Sequence, residues 1–250
     1  MEGALPSFLG LGAQKGGTTT LHLLLAQHPG VFLPADKELH YFSLYYGKGE
    51  AWYRHHFLDA HPGQRCGEIT PYYLYHPWAP ARIHKLMPKA RLIVLLRDPV
   101  ERTLSQYFHS RRLGLEPLSL THALAAEKRR LEGAEEILAN VEGHHRSHQE
   151  HSYLSRSCYQ HQLQRLETLF AEEQVLVIRS EDLFAHPEVI WQKLLNFLQL
   201  DQWPMPSLGK PANAGEGEAA EVPFELRNWL RGQLDSTYSW VAKRHGIVWG

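Results

Sequence analysis

The sequence predicts an α/β fold, with a central parallel sheet flanked by helices in a single domain over residues 1–250. Three stretches carry that expectation. Phe8, Leu9 and Leu11 lead into a glycine-rich turn, and after Thr18 the pattern becomes helical, with Leu21, Leu24 and Leu25 on one side. The run from Ala90 to Leu96 is apolar after Arg91 and is bounded by Pro88 and Asp98-Pro99, as expected of a parallel strand buried on both faces. Val175-Leu176-Val177-Ile178 is a second strand of the same kind.

The elements follow in order. A first helix over roughly Thr19 to Gln27 stops at His28-Pro29-Gly30. Val31 to Leu33 makes a short strand. Asp36 to Phe42 alternates, so Glu38 and His40 share one face of an extended segment and Leu39 and Tyr41 the other. An acid and an imidazole on one face can act as a general base and its helper, or form a solvated charged edge. Glu50 to Phe57 is helical, with Trp52, Tyr53 and Phe57 for packing. Arg65 to Thr70 is a strand ended by Pro71. Tyr72, Tyr73 and Tyr75 after it form either the wall of a cleft or part of the core. Pro80 to Leu86 is a short helix.

The strand ending at Leu96 runs into Arg97-Asp98. Ligands of open α/β sheets bind beyond the carboxyl ends of the strands, which places Arg97 to meet an anion. Asp98 caps the next helix, with Pro99 in its first turn and Glu101 behind. That helix carries Arg102, Ser105, Tyr107 and Phe108, and a phosphate fits between Arg97 and Ser105. Ser119 to Leu131 is helical. The histidine-rich stretch Gly143 to His151 reads as an exposed loop rather than a metal site, its clustering being compositional only. Ser152 to Phe170 makes one amphipathic helix. Asp182 to Phe184 is a turn, and a helix runs from Pro187 to Phe197. Met205 to Ala220 is a loop containing Lys210, Asn213 and Gly215, either a surface connection or a lid. Two helices near Pro223 to Leu234 and Tyr238 to Arg244 close the chain, with Trp229, Leu230 and Trp240 for packing.

Composition narrows the possible functions. Hydrophobic residues make up 43% and charged residues 21%, ordinary for a globular chain. A formal net charge of -1 excludes a general electrostatic affinity for nucleic acid, so any positive field is local. No apolar run is long enough to span a membrane. The start MEGALPSFLG lacks the basic and apolar regions of a secretory signal. Cys66 and Cys158 read as two buried thiols, not a disulfide framework. A cytoplasmic protein is the expectation.

The glycine-rich turn has the chemistry of an anion cradle. Gly12, Gly16 and Gly17 allow a sharp turn and close backbone approach. The first amides of the following helix lack carbonyl partners, Lys15 adds a charge, and Thr18, Thr19 and Thr20 add hydroxyls. It is not a Walker A loop, because Lys15 precedes the glycine pair instead of standing beside the hydroxyl residue.

Four stretches in fixed order now carry a resemblance: Lys15-Gly16-Gly17-Thr18-Thr19, Glu38-Leu39-His40-Tyr41-Phe42, Gly67-Glu68-Ile69-Thr70-Pro71, and Arg97 through Tyr107. Together they resemble the sulfotransferases that use 3′-phosphoadenosine 5′-phosphosulfate (PAPS). The heparan sulfate sulfotransferase domains and their soluble bacterial relatives look most similar. The resemblance runs from about Phe8 to Gly215 and implies a P-loop-like sulfotransferase fold. It implies that Lys15, Gly16, Gly17, Thr18, Thr19 and Thr20 hold the 5′-phosphosulfate, and that Arg97 and Ser105 bind the 3′-phosphate. Lys15 would stabilise the leaving oxygen. Glu38 falls at the position of the catalytic base, with His40 beside it and Glu68 in reserve. Lys210 to Gly215 falls at a cofactor-covering loop, and the Tyr153 to Leu163 helix at a segment that contacts the cofactor.

The acceptor pocket is expected from Tyr41, Glu68, Tyr72, Tyr73 and the segment after Arg111. Ile69 stands where heparan-type enzymes often carry a lysine, and the chain is neutral overall. A small or weakly charged molecule or saccharide with a hydroxyl, less readily an amine, is the expected acceptor. No metal, nucleic acid or membrane span is expected, and the product is the bisphosphate PAP. The alternatives are a P-loop nucleotide or small-molecule kinase, and a non-catalytic nucleotide-binding protein. Against the kinase stands Arg97, a cation where a Mg²⁺-binding acid is wanted.

Overall fold

The computed structural model describes residues 3–207 and 217–250. Five strands form one parallel sheet: β1 (Phe8–Gly12), β2 (Val31–Phe32), β3 (Arg65–Ile69), β4 (Arg91–Leu96) and β5 (Val175–Arg179), in the order β2-β3-β1-β4-β5. Phe8 stands opposite Gly67 on one side and Arg91 on the other, and Leu92 stands opposite Val175. From β1 the chain passes to the edge strand β2, returns to β3 beside β1, then crosses to β4 and β5 on the other side. The carboxyl end of β1 is therefore the point where strand order reverses, and a crevice opens there.

The helices are α1 (Thr18–Leu25), α2 (Gly49–His55), α3 (Tyr72–Tyr75), α4 (Ala79–Leu86), α5 (Pro99–Arg112), α6 (Leu120–Arg130), α7 (Ala134–Ala139), α8 (Arg146–Glu150), α9 (Tyr159–Glu167), α10 (Ser180–Ala185), α11 (Pro187–Leu198), α12 (Phe224–Gln233) and α13 (Asp235–His245). Successive strand residues face opposite sides, so β4 feeds two cores. Leu92, Val94 and Leu96 join Leu9, Leu11, Leu104 and Leu163 on one face. Ile93 and Leu95 join Phe8, Ile178, and the apolar sides of α1 and α11, including Leu21, Trp191 and Leu194, on the other. Each such buried side chain contributes about 1.5–3 kcal/mol, and these two layers hold the carboxyl ends of β1 and β4 in place.

The structure departs from the sequence reading at several places, among them Trp229, which is exposed instead of packed, and Cys158, which is half-buried. Asp36 to Phe42 forms no strand; Glu38 and His40 take left-handed backbone, with φ of 63° and 54°. The expected Ser152 to Phe170 helix begins only at Tyr159. Its first part is claimed by tertiary bonds: Thr103 Oγ1 and Arg102 donate to the Tyr153 carbonyl, and Leu154 N donates to Glu127. The histidine-rich stretch is not an exposed loop. Residues Arg146–Glu150 form α8, capped by His145 Nδ1 accepting from His148 N, and His148 and His151 are buried. The expected turn at Asp182 to Phe184 is the helix α10. Of the Met205 to Ala220 loop, Lys210, Asn213 and Gly215 lie outside the described residues, and Glu218–Glu221 is a short 3-10 turn.

Candidate active site

A cavity of about 620 Å³ opens at the carboxyl ends of β1 and β4. Its floor is the turn between β1 and α1. Ala13 N donates to the Leu95 carbonyl at 2.6 Å and Gly16 N to the Ala13 carbonyl at 2.9 Å, folding the turn against β4. Only glycine fits at 16, because a Cβ would stand 2.8 Å from the Leu95 carbonyl oxygen and 2.9 Å from that of Ala13. Ser180 Oγ donates to the Gly16 carbonyl at 2.8 Å and ties the turn to α10. Gly17, at φ 90°, caps α1 with no side-chain bond, so the amides of the first turn are left for a ligand. Lys15, Gly17, Thr18, Thr19 and Thr20 line the cavity.

Arg97 and Ser105 face the same cavity from the end of β4 and from α5. Arg97 donates to the Lys15 carbonyl at 3.3 Å, so the arginine and the lysine turn are in direct contact. Tyr159 from α9 donates its hydroxyl to the Arg97 carbonyl at 2.9 Å. Asp98 caps α5 by accepting from Glu101 N at 2.9 Å, as its position before Pro99 predicts. Burial, reinforced by Arg112, Arg97 and Arg102, pulls the Lys15 ammonium down from its ordinary range to about 8. Cations gathered this way, partly out of water, repel one another's protons and make the local field positive.

Glu38 lines the same cavity. Burial alone would raise its carboxyl, but His40 and Lys37 outweigh that and hold it near about 2. Lys37 Nζ lies 2.5 Å from Oε1, and His40 Nε2 lies 3.6 Å from Oε2. The acid and the imidazole meet as expected, but through a backbone turn and not through strand alternation. Four non-glycine residues among those described have positive φ: Lys15, Glu38, His40 and Gln199. Gln199 merely ends α11. Lys15 and Glu38 line the cavity, and His40, which does not, stands beside Glu38; strain of about 1–3 kcal/mol each is characteristic of functional sites.

The four expected acceptor-pocket residues do not reach the cavity. Tyr41 is stacked on Tyr53 with ring centroids 4.4 Å apart. Glu68 is buried under three hydroxyls: it accepts from Tyr53 at 2.6 Å, Thr70 at 2.6 Å and Tyr73 at 2.8 Å, and burial raises its carboxyl. Tyr73 is fully buried and passes that network on by accepting from Phe42 N. Tyr72 bonds His148 Nδ1 at 2.8 Å. The physical reason is packing: α3 turns directly after β3, and its tyrosines are drawn inward by partners such as Glu68 and the distant His148. They support the Glu38 turn from behind.

Gln14, His109 and Arg112 line the cavity and escaped the sequence reading; Phe108 lines it too, and the sequence reading places it on the helix without a role. The signal for three of them was present, since Ser105, Phe108, His109 and Arg112 fall at helical spacing on one side of α5. One amino group of Arg112 donates to both carboxylate oxygens of Glu218, at 2.8 and 3.1 Å. Lys210 lies outside the described residues. Among the described residues no group of three His, Cys, Asp or Glu side chains is arranged to hold a metal ion, and no helix is long and apolar enough to cross a membrane.

Comparison with known proteins agrees with this geometry. Over 109 residues the chain is 42% identical to the membrane-associated sulfotransferase kil1 of Dictyostelium discoideum, covering 42% of this chain and 23% of that protein. Over 102 residues it is 41% identical to human heparan sulfate glucosamine 3-O-sulfotransferase 6, covering 41% of this chain and 30% of that one. The alignments thus span less than a third of the curated relatives. A sulfotransferase crystal structure from Alicyclobacillus acidocaldarius superposes with a TM-score of 0.72 at 26% identity, covering 94% of this chain and 96% of that one. Mouse sulfotransferase SULT7A1, solved with PAP, shares the fold at a TM-score of 0.57 and 16% identity, covering 98% and 88%. The sulfotransferase domain profile matches residues 6–205, and with the parallel sheet, the lysine turn and Arg97 gathered at one crevice, the chain belongs to the sulfotransferase domain family, a family of transferase enzymes.

Proposed function

We propose that this chain transfers a sulfuryl group from PAPS to a hydroxyl of a small molecule or saccharide. The observation that carries the reading is the contact between Arg97 and the Lys15 turn inside one cavity. Two separated anions on one carrier need two cationic pockets within a single space, and the donor set fits. The volume lies within the roughly 300–1,000 Å³ usual for small-molecule sites. Lys15, the amides at the start of α1 and Thr18 to Thr20 would hold the 5′-phosphosulfate. Arg97 and Ser105 would hold the 3′-phosphate.

When bound, PAPS supplies a sulfuryl group activated by its bond to a phosphate. Glu38, ionised at neutral pH, takes the acceptor's proton as the acceptor oxygen bonds to sulfur. The sulfur–oxygen bond to the 5′-phosphate breaks, and its electron pair leaves on the phosphate. Lys15 stands where that charge grows, and catalysis of this kind is mostly positioning and charge stabilisation. His40 and Lys37 hold the Glu38 carboxylate in place. The kinase alternative finds no support at Asp98, whose oxygens are engaged by Glu101 N and by the Tyr238 hydroxyl at 2.9 Å.

Titration calorimetry tests the reading. PAP should bind without Mg²⁺ and more tightly than ATP with it; Mg²⁺-dependent ATP binding tighter than PAP would defeat the proposal. Glu38→Gln should keep PAP affinity within about twofold. With labelled PAPS and a panel of hydroxylated acceptors it should lose at least about a hundredfold in turnover, as general bases do. Undiminished turnover would remove Glu38 as the base.

A further inference from the structure

Resting on the reading above, we propose that Gln14 donates its side-chain amide to a sulfuryl oxygen of bound PAPS. The buried Arg156 is the positioning residue that turns the amide toward the cavity.

Arg156 is 2% exposed and makes no ion pair with a carboxylate among the described residues. One amino group donates to the carbonyls of His148 at 2.8 Å and Gln149 at 2.9 Å. The other donates to Gln14 Oε1. The guanidinium lies over the rings of Tyr72 and Tyr75, 5.2 and 4.8 Å from their centroids. A guanidinium has five donors and no acceptor, so it can meet only the oxygen of an amide. That fixes the flip of Gln14: its NH2 faces away from Arg156. Gln14 lines the cavity and immediately precedes Lys15, and among the described residues its NH2 has no acceptor.

The histidine-rich segment finds a role here. The His148 ring stacks on Tyr75, with centroids 4.2 Å apart, and bonds the Tyr72 hydroxyl, while its carbonyl receives Arg156. The segment thus clamps the two rings that hold the guanidinium. Tyr72 also meets His40 edge-on, centroids 6.1 Å apart, so the assembly backs the Glu38 flank of the cavity. Burying a cation without a carboxylate is costly, and an apolar side chain would fill the space without that cost. What only a guanidinium provides is a rigid planar fork that sets one amide's direction.

The test compares affinities for PAP and PAPS, which differ by the sulfuryl group. Gln14→Ala should leave PAP affinity within about twofold and weaken PAPS about tenfold or more, the effect of one hydrogen bond to a charged group. Gln14→Glu keeps an acceptor for Arg156 but offers no donor, and should lose PAPS at least as far. Arg156→Lys keeps the charge without the fork and should weaken PAPS about as much as Gln14→Ala. In the Gln14→Ala background it should have no further effect. A PAPS-to-PAP affinity ratio unchanged in the two Gln14 variants overturns the assignment, even if Arg156→Lys does not fold. So does an Arg156→Lys loss that is equal for both nucleotides and in both backgrounds, which is what a purely structural arginine gives. Failure of the wild type to bind either nucleotide overturns the underlying reading instead, and is recognisable as such.

Discussion

Lys15 concentrates the electrostatics of this cavity in one side chain. Its neighbours Arg97, Arg102 and Arg112 repel its proton, Glu38 weakly favours it, and burial tells most against it, so it titrates near about 8 instead of 10.5. The sign of the consequence follows directly. Below pH 8 the ammonium is charged and available to an anion; above it the free protein must take up a proton before binding. PAP affinity should therefore fall as pH rises above about 7, approaching about tenfold per unit above pH 8. Calorimetry in buffers of different ionisation enthalpy should detect proton uptake at pH 8.5. Lys15→Arg, which keeps its proton throughout, should flatten the profile; an undiminished slope in that variant would assign the titration to another group. Glu38 is the counterpart: an acid held ionised by His40 and Lys37, so that no pH near neutrality limits it. Lys15 and Arg97 stand just past the carboxyl ends of β1 and β4 and Ser105 on the helix after β4, positions a local pattern can mark, whereas Glu38 reaches the same cavity from a left-handed turn and not from the expected extended segment. Tyr72 and Tyr73 took the core alternative of the sequence reading, and Tyr41 and Glu68 are likewise buried, because a tyrosine or a hydrogen-bonded acid serves clefts and cores alike and only packing decides which.

At the level of elements, the turn between β1 and α1 works because nothing separates it from β4. Gly16 is wedged between the Leu95 and Ala13 carbonyls, so Gly16→Ala must push the turn off the strand. The overpacking should cost about 1–3 kcal/mol of stability, read from denaturant titration. PAP affinity should fall about tenfold or more, because the displaced amides lose their aim. A variant of unchanged affinity would show that the turn's closeness to β4 has no bearing on anion binding. The α5 helix illustrates the opposite kind of legibility. Its cap at Asp98 and its start at Pro99 are local chemistry and stand where the sequence places them. The helix after Ser152 starts late for a nonlocal reason: the backbone at Tyr153 and Leu154 bonds to α5 and α6, partners about 50 and 27 residues away. A periodicity reading sees amphipathic spacing and cannot see those competitors.

At the scale of the whole molecule, the last residues brace the first pocket. Trp249 donates its indole N–H to Glu181 at 3.0 Å, Glu181 accepts from Asp98 N at 2.9 Å, and Tyr238 donates to Asp98 at 2.9 Å. The end of β4 is thereby fastened to α10 and α13. Trp249→Phe keeps most of the apolar packing and removes the N–H. At about 1.5–3 kcal/mol for a bond to a charged group, and about 2–4 °C per kcal/mol for a chain of this size, melting should fall by about 3–12 °C. A melting point within 1 °C of wild type, read by calorimetry with that same about 2–4 °C per kcal/mol scale, would mean that this fastening contributes nothing. The sequence alone determined the parallel sheet, the lysine turn and the cation at the end of β4, because apolar runs, glycines and caps act over a few residues. Only the tertiary structure decided that Lys15 and Arg97 touch, that the tyrosines after β3 lie inside, and that Arg156 bonds Gln14. Those outcomes depend on which distant groups compete for the same volume and the same hydrogen bonds, and a linear pattern carries no record of that competition.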